Sequence, residues 1–499
     1  MKKVTLLLIF TLSLFSSTLH LSISASPSRI NPILATDSAS GEIAGWIFNS
    51  LVKYDKNGKI VGELAKSFEF LDDTTLIFRL RDDVYWHDGK KFGAKDVLFT
   101  YKTITSPKVF TPYASEFRFV KDVEILDDKT VKVIYKKPYF KALETWMTGI
   151  LPEHILKNEK DLMTSKFNQR PIGTGPYKLE NFSVSKDIVL VANENYFEHK
   201  PNIDKIIYHF IPDPSTQFLM LKSKKLDVGS LSPLQYERQI DKDFNDYYKI
   251  IEQISHGYTY LGFNLRNKKF QDKRVREALS LAIDRKELAD ILFFSHARVC
   301  TGPFLPGTFA FNDKIKPPKP NLKRAKELLK EAGYDEDNPL EFEIATNSNN
   351  SIRLYAAQII QYQLSKIGVK VKIKAMEWQA FLNTVVHPRN FETILLGWSL
   401  GLTPDAYPLW HSKSDKPGGF NLVGYHNEEV DSLIEKAEIT VDRKKLSKIY
   451  KKIFALIAND LPYLFLYIPN SITAVNKKIR PIEPSIIGIF HNEIDWVKP

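Results

Sequence analysis

SIRLYAAQIIQYQLSKIGVKVKIKAM, residues 351–376, changes its periodicity once, at a glycine. Up to Gly368 it reads as a helix, with the glycine as its stop. After it, Val-Lys-Val-Lys-Ile-Lys alternates apolar and charged side chains, as a half-buried strand does. The same helix-and-strand alternation extends outward on both sides. Upstream, DKRVREALSLAI opens at Asp272 and sets Val275, Leu279, Ala282 and Ile283 on one face. Asp284 and Glu287 form a capping box for a second helix through Phe293, and NLKRAKELLKEAGY runs to a stop at Gly333. Downstream, the strand ETILLGW precedes amphipathic helices at 428–438 and 442–459, then Pro462 and the apolar strand YLFLYI. Residues 272–468 therefore predict an α/β lobe. The earlier part is richer in strands. Residues 64–81 and 119–136 predict two hairpins, each turning on Leu-Asp-Asp-x-Thr, where aspartate supplies local backbone hydrogen bonds. PPKP at 317–320 reads as a surface connection.

A chain of 499 residues exceeds one ordinary core, so two or three lobes are expected. Its 43% hydrophobic and 26% charged content is ordinary for a globular protein, and the mean hydropathy of −0.25 argues against an integral membrane protein. The formal charge of +11 comes from scattered Lys and Arg with no dense stripe and no reader motif, which gives no support to a nucleic-acid partner. A single cysteine, Cys300, permits neither an intrachain disulfide nor a cysteine-based zinc site; its apolar setting predicts a buried, inert thiol. At the N-terminus, Lys2 and Lys3 precede an apolar run from Val4 to Phe15, too short to span a bilayer and suited to a secretory signal. LHLSIS at 19–24 alternates like a first strand, which places processing near Ser16 or Ser17 and makes residues 1–17 the signal peptide. No cysteine follows for lipid attachment.

Catalytic signatures are sparse. Gly397-Trp398-Ser399-Leu400-Gly401 matches G-x-S-x-G, but a nucleophile elbow needs a helix directly after the serine. Pro404 and Pro408 disfavour one. A secreted serine hydrolase using Ser399 is thus the distant alternative. The 11 histidines form no His-x-x-x-His or H-E-x-x-H pair, His87-Asp88-Gly89 reads as a turn, and GTGPY at 173–177 runs from glycine into proline. The expectation is a binder, not an enzyme, with no cofactor and no metal.

Six segments then coincide in order with one family. RINPILATDSASGEIAGWIFNSLVKYDKNGKIVGELAKSFEF, LRDDVYWHDGKKFGAKDVLFTYKTITSP, IGTGPYKL, DKRVREALSLAIDRKEL, KRAKELLKEAGY and the stretch 397–412 cover nearly the whole chain from Leu19. The chain resembles the bacterial extracellular solute-binding proteins of family 5, the dipeptide, oligopeptide and nickel class serving ABC importers, and most of all their peptide-binding branch. The resemblance implies an α/β two-lobed clamshell (class II type) with an additional α+β domain. The first lobe would combine 19–50, 173–264 and 476–499, the extra domain 51–172, and the second lobe 265–475. It also implies a periplasmic monomer that captures oligopeptides between the lobes and passes them to permease subunits in the inner membrane. The alternative within the fold is a metal chelate or an oligosaccharide.

The resemblance also places residues. Trp398 matches the family's cleft tryptophan, and Tyr113 a tyrosine near the peptide. Ser38 and Ala39, after Asp37, match a loop lining the cleft, and Ser399 and Gly401 lie in the cleft loop itself. Two positions depart from the pattern. Peptide binders commonly carry an aspartate for the ligand's ammonium where Gly401 stands, and Asp405 is the nearest loop carboxylate. It could take over that contact, or cap a short turn after Pro404. Dipeptide binders carry an arginine for the ligand carboxylate where Asn347 stands, while Arg353 lies on the helix. Both departures weigh against strict dipeptide recognition.

Overall fold

A computed structural model describes residues 17–184 and 186–499. The expected signal segment thus falls almost wholly outside the described residues. The first strand, Thr18–Ile23, buries Leu19, Leu21 and Ile23 and turns the intervening side chains outward, as its alternation predicts. It pairs in parallel with Lys205–Phe210, which continues antiparallel through Asp187–Ala192 to Tyr177–Phe182, completing a four-stranded sheet. The helix Ser38–Ile47, capped by Asp37, ties to this sheet through Trp46 Nε1, which donates to the Tyr208 hydroxyl at 2.9 Å.

The two expected hairpins join into a single four-stranded sheet, Ala65–Asp72 and Thr75–Leu80 against Thr130–Tyr135 and Val120–Asp127. Their turns work as the sequence implies. Asp72 accepts from the Thr74 amide at 2.7 Å, and Asp127 from the Lys129 amide at 2.8 Å. One apolar core runs without interruption from the first sheet into this second one.

Two short motifs lock these regions together. The Cβ of an alanine at position 173 would lie 1.8 Å from the Ile47 carbonyl oxygen, and at 175 it would lie 2.4 Å from that of Trp46, so only glycine fits at either place. In return the Gly175 amide donates to Ile47 O at 2.8 Å. His87 closes the joint: its Nδ1 accepts from the Gly173 amide and its Nε2 donates to Gly175 O at 3.0 Å. Burial pushes its pKa down to about 4, which keeps the ring neutral and suits this one-donor, one-acceptor arrangement.

Val52–Tyr54 and Ile60–Gly62 pair as a small two-stranded ribbon, and the other strands build an eight-stranded sheet. Its central path runs Val228–Leu231, Tyr463–Asn476, Gly257–Phe263, Thr393–Ser399, Glu341–Asn347, Lys370–Met376. The opening stretch forms the crossover: helix Ser351–Ser365 packs Ala356, Ala357, Ile360 and Leu364 inward, Gly368 adopts φ 81°, and Lys370–Met376 returns parallel to Glu341–Asn347. That last strand is the sheet edge and carries Lys370, Lys372 and Lys374, which discourage edge pairing. Two expectations need correction. Asp284 caps its helix as expected, but Glu287 does not reach back to it; Gln363 bridges the two, accepting from the Asp284 amide and donating to Glu287. The strand predicted to end at Ile468 continues through Pro469 to Asn476. Its first part pairs with Gly257–Phe263 and Ala297–Val299, its last part with Tyr248–Ile254 and Val228–Leu231. Proline is tolerated there because the partner strands change at that point.

Candidate binding cleft

The strand Thr393–Ser399 carries the chain out of the large sheet into the loop Leu400–Ala406. Alternation sends Gly397 and Trp398 to opposite faces. The Trp398 ring lies parallel to Tyr260 at 6.1 Å, meets Phe420 edge-on at 5.8 Å, and donates from Nε1 to the Tyr463 hydroxyl at 3.3 Å. Behind it Tyr260 stacks on Tyr463 at 3.8 Å, which fixes the indole from below. A cavity of about 480 Å³ opens in front of this stack. Tyr113, Glu116 and Lys141, from the hairpin-sheet region, face Phe304, Leu305 and the 398–405 loop across it.

Five of the expected site residues, Tyr113, Trp398, Ser399, Gly401 and Asp405, line this cavity. The Tyr113 hydroxyl donates to Ala35 O at 2.6 Å, which fixes its ring at the rim. Three expected residues lie elsewhere. Ser38 and Ala39 form the first turn of a helix whose capping Asp37 is occupied by Ser28 and Ser40. Asn347 is buried and holds Arg353, accepting from Nη1 at 2.6 Å. The other end of that guanidinium lies against Gly397, on the face of the strand away from Trp398. Arg353 keeps one buried nitrogen, Nε, without a partner among the described residues.

Ser399 lacks the surroundings of a nucleophile. A loop follows it, the next helix is the single turn Tyr407–Trp410, and no histidine ring hydrogen-bonds its hydroxyl among the described residues. No group of three His, Cys, Asp or Glu able to hold a metal occurs among them either. Cys300 is buried, and burial pushes its thiol up to about 12.

Asp405 is engaged twice. Its Oδ1 accepts from the Tyr407 amide at 3.0 Å, and its Oδ2 accepts from Lys141 Nζ at 2.9 Å. Lys141 also donates to Glu116 Oε2 at 3.0 Å. Burial alone would raise the carboxyl, but the Lys141 and Arg118 cations outweigh it and hold Asp405 below the usual carboxylate range. For Lys141, burial opposes the charge, and Asp405 and Glu116 overcome it, holding the ammonium well above its ordinary value. Around this pair the two sides meet again. Arg118 pairs with Glu438, the Phe140 amide donates to Glu438 O at 3.0 Å, and Thr403 Oγ1 bonds Tyr54 and Glu144, each at 3.0 Å. Sequence reading missed Lys141, Glu116 and Glu438. The only local signal for Lys141 is a lone cation among Tyr139, Phe140, Ala142 and Leu143.

With this geometry in place, comparison with known proteins is informative. The model of the bacterial extracellular solute-binding proteins, family 5 Middle, matches residues 59–420. The oligopeptide-binding protein AppA of Bacillus subtilis is 34% identical over 473 residues, covering 91% of this chain and 86% of its own length. The solved structure of that AppA with a nonapeptide superposes with a TM-score of 0.88 at 32% identity, covering 97% of this chain and 99% of the other. NikZ of Campylobacter jejuni, solved with Ni(L-His), superposes with a TM-score of 0.87 at 31% identity, covering 97% and 100%.

Proposed function

This chain belongs to the bacterial extracellular solute-binding proteins of family 5, and on that premise we propose that it captures oligopeptides in the cleft at Trp398 and delivers them to the permease of an ABC importer. One observation supports a peptide most directly. The strand Thr393–Ser399 pairs with Gly257–Phe263 along its whole length, but with Glu341–Asn347 only at Thr393 and Ile394. Among the described residues, one backbone edge of Leu396–Ser399 is therefore without a strand partner, beside the cavity and the Trp398 ring. An extended peptide adds to such an edge through main-chain hydrogen bonds, which are the same for every sequence, while an aromatic wall accepts varied side chains.

In this reading the lobes are those expected from the sequence: 19–50, 173–264 and 476–499 on one side, 265–475 on the other, and 51–172 as the additional domain. Ligand contacts to both sides of the cavity favour the closed arrangement, a shift of population that makes and breaks no covalent bond. The protein is exported, works in the periplasm as a monomer and has no enzymatic activity. No helix among the described residues is long and apolar enough to cross a membrane.

Native mass spectrometry of gently purified protein tests this. Retained peptides of mixed sequence are the expected result. A single metal chelate or a uniform oligosaccharide in the cleft overturns the peptide reading and leaves the family assignment intact.

A further inference from the structure

The carboxylates lining the cleft are already served by the protein. Lys141 Nζ sits between Asp405 Oδ2 at 2.9 Å and Glu116 Oε2 at 3.0 Å, and all three residues line the cavity. The Lys141 and Asp405 side chains are each only 12% exposed, so water screens their pairing poorly. The second oxygen of Asp405 is taken by the Tyr407 amide. An ammonium has three donors, and two of those of Lys141 point at these carboxylates, as the terminal ammonium of a bound peptide would.

We propose that Lys141 is a specificity determinant, a tethered ammonium that fills the seat a ligand's amino terminus would otherwise occupy, so that the cleft accepts peptides whether or not that terminus is free. The inference rests on the peptide reading of the cleft for its ligand, but not for the seat itself. A second ammonium beside Asp405 would lie next to Lys141, and like charges in a poorly screened site repel strongly. A neutral, blocked terminus meets no such penalty. Lys141 comes from the hairpin-sheet region and Asp405 from the large-sheet region, so their pair also bridges the cavity, beside the Arg118–Glu438 pair and the Phe140–Glu438 backbone bond. Gly401 fits this arrangement, because it adds no carboxylate that would call for a second cation.

Two measurements test the proposal. In the first, a library of random nonapeptides, half with free and half with acetylated amino termini, competes for the protein and the bound fraction is read by mass spectrometry. The wild type is expected to take both halves within about threefold, and Lys141→Met to prefer free amines by about tenfold or more, as an exposed carboxylate pair selects for a cation. A wild type that already prefers free amines tenfold, or an unchanged ratio in Lys141→Met, overturns it. The second measurement needs no peptide: the thermal transition of Lys141→Ala is followed in propylammonium, sodium and tetramethylammonium chloride. Recovery towards the wild-type midpoint in propylammonium alone is expected; equal behaviour in the three salts overturns the seat. Rescue by propylammonium with neither library half bound supports the seat and refutes the peptide reading, whereas binding of the library without rescue does the reverse.

Discussion

Trp398 shows how one tightly packed side chain can also line a cavity. Tyr260 and Tyr463 hold its ring from behind and Phe420 from the edge, yet one face remains open to the cavity. Truncating such a preorganised aromatic wall removes contact area that the ligand cannot recover elsewhere. Trp398→Ala should weaken peptide binding by about 2 kcal/mol, roughly thirtyfold, by calorimetric titration, and Trp398→Phe by much less. Equal loss in both variants would mean that the indole N–H to Tyr463, not the ring face, carries the effect. Trp398 was legible in the sequence because it ends a clear strand inside a family motif. Lys141 was not. Its partners stand at positions 116 and 405, and its apolar neighbours alone do not tell which carboxylates will surround it.

At the scale of elements, local chemistry could be read and long-range partnership could not. The aspartate turns at 72 and 127, the glycine stop at 368 and the caps at Asp272 and Asp284 all depend on neighbours within a few residues, and the structure has each of them. The His87 turn and the GTGPY segment were each recognisable, but their interlocking depends on a contact 86 residues apart. The close approach of Gly173 to Ile47 gives that joint a clear test. Gly173→Ala forces Cβ against a backbone oxygen that cannot rotate away, so it should destabilise the protein by about 2 kcal/mol or more in denaturant titration. Gly401→Ala, whose Cβ meets only Thr403 O at 3.9 Å, should be close to neutral in the same assay.

Across the whole molecule the sensitive place is where the long strand Tyr463–Asn476 changes partners. His296 stands beside it, its Nδ1 on Glu252 and its Nε2 on Glu237, each at 2.8 Å, while the Asn470 amide donates to its carbonyl at 2.9 Å. Burial works against the charged ring, but the two carboxylates outweigh it and raise the pKa above the ordinary imidazole value. The raised folded pKa means that this stabilisation is complete below the unfolded value near 6.5 and is lost as pH rises through the folded one. The melting temperature should therefore fall from pH 6 upward by an increment that His296→Asn abolishes; the same slope in the variant would assign it to other groups. The long strand has a further consequence. It gives backbone hydrogen bonds to Gly257–Phe263 with one part and to Tyr248–Ile254 with the other, so both regions share one continuous strand that couples their unfolding. Heat should unfold the protein in a single cooperative calorimetric transition, with van't Hoff and calorimetric enthalpies in agreement, even though its chain is long enough for several independently melting units.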